Sequence, residues 1–84
     1  MIILYVSENT KPYDVEVNAR MLHTSNDKMR QLENLDGRLS IHDKNVRYVT
    51  PLGVMRTQAQ YAMHDLQTGI ITIRTPRSEY LFKA

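Results

Sequence analysis

Residues 50–69 satisfy two secondary-structure periods at once, and the architecture open to this chain depends on which period prevails. Read as a helix, Leu52, Met55, Ala59, Ala62, Met63 and Leu66 fall within roughly a 100° arc at about 100° per residue. Thr50 suits an N-cap, Pro51 the first helical position and Gly69 the position after the last turn. Read as a strand, Met55, Thr57, Ala59, Tyr61 and Met63 alternate with Arg56, Gln58, Gln60, Ala62 and His64. Ala, Met, Gln, Leu and Arg dominate the segment and are good helix formers. The balance predicts a helix over 51–67. The strand reading draws support from Leu66-Gln67-Thr68-Gly69, which suits a hairpin turn between Tyr61–Asp65 and Ile70–Thr75.

The flanking segments are read more simply. Met1–Val6 is rich in β-branched and aromatic residues and predicts a strand. Tyr13–Ala19 alternates, with Tyr13, Val15 and Val17 on one side and Asp14, Glu16 and Asn18 on the other, and is expected to form a hairpin with the first strand across the loop Ser7–Pro12. Thr24 followed by Asp27 suits a capping box. Met29, Leu32 and Leu35 then make a stripe, and Gly37 suits a left-handed stop, so a three-turn helix is predicted over 25–36. Short strands are expected at Arg38–His42 and Val46–Val49 around the turn His42-Asp43-Lys44-Asn45, at Ile70–Thr75, and at Glu79–Phe82. The expected fold is therefore α+β: a small antiparallel sheet of four to six strands carrying one helix (25–36) and a second (51–67). The alternative is a mostly β chain with only the first helix.

On the strand period, Asp36-Gly37-Arg38-Leu39-Ser40-Ile41, Asn45-Val46-Arg47-Tyr48 and the run from Gln60-Tyr61 to Thr68-Gly69-Ile70 loosely resemble the repeating strands of the periplasmic lipopolysaccharide-transport jelly-roll family. The likeness covers about half of the chain and carries over no functional residue.

The size suits one domain, residues 1–84. Hydrophobic residues make up 42% and charged residues 24%, too apolar for intrinsic disorder. No cysteine is present, so disulfides, thiolate metal sites and thiol nucleophiles are excluded. The apolar start breaks at Ser7-Glu8-Asn9, without the basic leader and length of a signal peptide or membrane span. These features lead us to expect a cytoplasmic protein.

Little in the sequence points to catalysis. His23, His42 and His64 have no i, i+4 partner of metal-binding type, and His42-Asp43 and His64-Asp65 are chain neighbours whose side chains diverge. Ser7, Ser25, Ser40 and Ser78 lack an adjacent base, and the three glycines make no phosphate loop. The expectation is a protein that is not an enzyme and uses no metal or cofactor.

Charge is uneven. Residues 1–46 carry six basic and seven acidic side chains, whereas 47–84 carry five basic and two acidic. The basic, aromatic set Arg47, Tyr48, Arg56, Arg74, Arg77 and Tyr80 is the candidate partner-binding surface, with Phe82 and Lys83 beside it. Arginine offers bidentate contacts to carboxylate or phosphate, and tyrosine offers large contact area. The function expected is a small binding protein, a regulator or inhibitor acting by contact with a larger protein or nucleoprotein complex. In size and plainness the chain resembles the host-interacting and anti-defence proteins of bacteriophages, a likeness of type that no motif carries. The alternative is a nucleic-acid-binding module using the basic C-terminal half. Neither reading places the chain in a membrane, and neither sets an oligomeric state.

Overall fold

In the computed structural model, which describes residues 2–6 and 14–84, the two-residue period prevails throughout 50–69. The strands are β1 (Ile2–Val6), β2 (Val15–Thr24), β3 (Asp36–His42), β4 (Asn45–Thr50), β5 (Gly53–Gln58), β6 (Tyr61–Asp65), β7 (Ile70–Arg74) and β8 (Glu79–Lys83). They form one sheet in the order β1-β6-β7-β8-β2-β3-β4-β5, antiparallel at every pairing. The one helical element among the described residues is a six-residue 3-10 helix, Asp27–Leu32. The expected α+β fold with helices on a sheet is thereby overturned: the chain is nearly all β.

The helix over 51–67 fails because two of the residues it needed as core are turn residues. Leu52 is 70% exposed and Leu66 is 59% exposed. Strand pairing instead buries Met55 on β5, Ala59 in the link and Ala62 on β6, so the alternation changes phase between the two strands. Thr50 does cap, but it caps a β-turn. Its Oγ1 accepts from the backbone N–H groups of Leu52 (3.2 Å) and Gly53 (3.1 Å), and Pro51-Leu52 forms the two-residue link between β4 and β5. Gly69, at φ 77°, closes the β6–β7 turn, where Asp65 Oδ1 accepts from the N–H groups of Gln67 (3.0 Å) and Thr68 (3.4 Å).

The helix over 25–36 shrinks for a reason its stripe contains. Met29, Leu32 and Leu35 recur every three residues, the repeat of a 3-10 helix, whose side chains stack directly above one another. Leu32 is fully buried, and Met29 and Leu35 pack partly buried against the core. The N-cap is Asn26, whose Oδ1 accepts from Lys28 N–H at 3.0 Å. Thr24 is buried at the end of β2 and accepts from Asn26 N–H through its Oγ1. The left-handed stop is Asn34 (φ 65°), whose N–H donates to the Met21 carbonyl at 2.6 Å.

Gly37 lies inside β3, and its role is steric. A Cβ there would come 2.5 Å from the Val49 carbonyl oxygen and 2.8 Å from the Tyr48 ring. Tyr48 is fully buried and joins three parts of the chain. Its hydroxyl accepts from Met21 N–H (3.3 Å) and faces the carbonyls of Ala19 (3.1 Å) and Leu35 (2.5 Å), one of which takes its proton. Its ring meets Phe82 edge-on at a centroid distance of 4.8 Å. Strands β4 and β8 stand three places apart in the sheet, about 14 Å if it were flat, so the sheet is strongly curled around this pair. Consecutive residues then carry the chain from one side of the sheet to the other: Ala59 N–H donates to the Lys44 carbonyl, extending the β4–β5 ladder, and Gln60 N–H to the Arg74 carbonyl, at the end of the β6–β7 ladder. The Asp27–Leu32 helix lies against β2, and Leu32 also approaches the start of β5 at Gly53.

One expected pairing is replaced. β1 pairs with β6, from Ile2↔His64 to Val6↔Tyr61, and β2 pairs with β3 and β8. Among the described residues β1 and β2 do not pair; the expected Ser7–Pro12 loop lies outside them, as does Tyr13. Among the described residues, no helix is long and apolar enough to cross a membrane.

Candidate binding face

The β4–β5 hairpin shows what its outer surface can do once the phase of its ladder is known. The Ala59 N–H···O=C Lys44 bond, 2.8 Å long, marks that position as hydrogen-bonded. The ladder continues as Asn45↔Gln58, Val46↔Thr57, Arg47↔Arg56, Tyr48↔Met55, Val49↔Val54 and Thr50↔Gly53. Bonded and non-bonded positions alternate in an antiparallel pair, and side chains stand closest at the non-bonded ones, with Cα atoms about 4.5 Å apart. Arg47↔Arg56 and Val49↔Val54 are both non-bonded positions. The inward residues Val46, Tyr48 and Met55 are buried, so these pairs lie on the outer face.

Two guanidinium groups therefore stand directly opposite each other. Among the described residues, neither Arg47 nor Arg56 has a carboxylate at ion-pair distance. Beside them Val49 is 37% and Val54 46% exposed. An open depression of about 560 Å³ adjoins the arginines, lined in part by Ser40, His42, Asn45 and Gln58. Ser40 is buried between its cross-strand neighbours Glu16 and Arg47.

Of the six candidate residues read from the sequence, the structure brings together Arg47 and Arg56. Tyr48 and Tyr80 are core residues, so neither offers a ring to a partner or a base, and Phe82 is buried with them. Arg74 is occupied: its Nε donates to Glu79 Oε2 at 2.8 Å, and its guanidinium lies over the Tyr61 ring, 5.4 Å from the centroid. Arg77 is exposed in the turn between β7 and β8. Lys83 Nζ donates to the Thr68 carbonyl.

Sequence reasoning missed Val49 and Val54. The available signal was the alternation from Asn45 to Gln58, folded about Pro51-Leu52 as a hairpin. It also missed the partners of His42, which come from another strand region: Nε2 lies 3.2 Å from Glu16 Oε1 and Nδ1 3.3 Å from Asp14 Oδ2. Those carboxylates, Glu16 first, raise the His42 pKa above its ordinary value. Among the described residues, no group of three or more His, Asp or Glu side chains is placed to hold a metal ion.

No protein-family model, curated protein or solved structure matches this chain.

Proposed function

We propose that this is a non-catalytic cytoplasmic binding protein that regulates or inhibits a larger protein by covering part of its surface, and that it docks through the outer face of the β4–β5 hairpin. The observation that supports this reading is the Arg47↔Arg56 opposition. Like charges directly opposite on a sheet are destabilising. A partner's carboxylates placed between the two guanidinium groups relieve that repulsion and gain bidentate, charge-assisted hydrogen bonds. The exposed Val49–Val54 pair adds apolar area next to the arginines, a combination typical of the energetic centre of protein interfaces. The absence of cysteine suits a reducing compartment.

The test is capture from a nuclease-treated bacterial lysate by the immobilised protein and by its Arg47→Glu/Arg56→Glu variant. A protein retained in stoichiometric amount by the first and lost from the second is the expected result. Equal retention by both, or no retained protein, overturns the reading. Capture seen only from an untreated lysate, and falling steeply with salt, moves the function to nucleic acid.

A further inference from the structure

The same ladder phase has a second consequence, at the edge of the sheet. Since Arg47↔Arg56 and Val49↔Val54 are non-bonded positions, the backbone N–H and C=O groups of Val54, Arg56 and Gln58 point away from β4. The strand order of the described residues ends at β5, so among them those groups face no further strand. Sheet edges of natural proteins are ordinarily blunted by a proline, a charged side chain, a bulge or a covering segment, and the one such charge on β5 is Arg56. Within Gly53–Gln58 there is neither proline nor lysine, and the pairing with β4 runs without a register shift. The opposite edge differs, because the β1–β6 register shifts between Ile3 and Tyr5.

We infer that β5 accepts an added strand, and that the occupant is an extended acidic segment of a partner protein, in which acidic and apolar residues alternate. This rests on the docking face proposed above and specifies how it is used. A second copy of this chain is the poorer occupant, because antiparallel pairing of two β5 strands centred near Arg56 would gather four arginines. An acidic strand places alternate carboxylates beside Arg56 on the outer face, with Arg47 one strand farther, about 10 Å from the added backbone. Its other side chains fall on the inner side, the face of the buried Met55, and so prefer to be apolar. At the Gln58 end the edge opens on a depression of about 300 Å³ lined by Thr57, Gln58, Ser78 and Arg77, which supplies a further cation for the same segment. Main-chain bonds give such strand addition its affinity, and alternate side chains give its specificity.

The probe is the blocked octapeptide with four Val-Glu repeats, titrated into the 15N-labelled protein. Expected is a Kd on the order of 0.1–1 mM, with slowed hydrogen exchange at the Val54, Arg56 and Gln58 amides. A peptide N-methylated at alternate residues should bind at least about tenfold more weakly, a difference of about 1.4 kcal/mol. The Val-Lys counterpart should not bind wild type and should bind the Arg47→Glu/Arg56→Glu variant. Absence of binding, equal binding of the N-methylated peptide, or unchanged exchange at the three amides overturns the added strand. A two-copy complex in sedimentation without peptide overturns it in favour of self-pairing. None of these outcomes alters lysate capture and its loss on charge reversal, so failure of the added strand is distinguishable from failure of the docking face.

Discussion

The β2–β3 and β4–β5 hairpin surfaces are neighbours in one sheet, yet they handle charge in opposite ways. On β2–β3, Arg20 faces Asp36 with Nε 3.0 Å from Oδ1, Arg38 donates to Asn18 Oδ1 at 3.3 Å, and His42 sits between Asp14 and Glu16. On β4–β5, Arg47 faces Arg56. The first surface pairs its charges within the chain, whereas on the second neither arginine has a carboxylate at ion-pair distance among the described residues. Exposed ion pairs each contribute only about 0–1 kcal/mol, so the contrast is small as stability. As a guide to where a partner binds it is large.

The joint between the two surfaces is where the comparison breaks most severely. Gly37 on β3 has no room for a methyl group against the β4 backbone and the Tyr48 ring. Gly37→Ala is expected to cost about 1–3 kcal/mol by overpacking, read as a lower denaturation midpoint with an unchanged m-value. A midpoint within error of wild type would show that β4 moves aside freely. Next in size is Arg56→Glu, which rebuilds on β4–β5 the cross-strand pairing that β2–β3 already has. It should stabilise the chain by about 0.2–1 kcal/mol and abolish partner capture. A loss of stability would mean that the arginine pair is already neutralised in the free protein.

The smallest effect belongs to pH and to the complete surface. The His42 pKa is raised in the folded protein by Glu16 and then Asp14. Its contribution to stability is thus full below the unfolded value of about 6.5 and fades as pH rises through the higher folded value. Thermal melts across that window should show wild type losing stability relative to His42→Ala as pH rises, by less at high salt because the site is exposed. A constant difference between the two proteins would remove His42 from the account. Residues 45–58 hold no histidine or carboxylate, so the second surface should contribute nothing to this profile.

Legibility in the sequence followed the range of the interactions involved. The β3–β4 hairpin around Asp43-Lys44 and the alternating strand β7 were legible because local pattern and final environment agree. Residues 50–69 were not, because the alternation changes phase between the buried Met55 and Ala62, and the helix-favouring types there were overruled by pairing with β4 and β7. The two leucines that separate the readings, Leu52 and Leu66, look like core and are turn residues. Arg47 and Arg56 were legible as candidates by type, but their opposition required the hairpin. Tyr48 was misread because its large ring was counted as contact area for a partner, whereas here it is buried and three backbone groups engage its hydroxyl.

The place of β8 in the sheet sets the timing of assembly. It is inserted between β7 and β2, and its pairs with β2 span most of the chain, as in Arg20↔Lys83. The hairpins β2–β3, β3–β4 and β4–β5 are local, and so are β6–β7 and β7–β8. On the ribosome each set can therefore zip as its residues emerge. The two sets become one sheet only after residues 79–83 have been made, since Phe82 supplies the ring on which Tyr48 packs. Until then β2 waits with an open edge, a loop closure of some sixty residues away from its partner, and long-range closure of this kind slows folding.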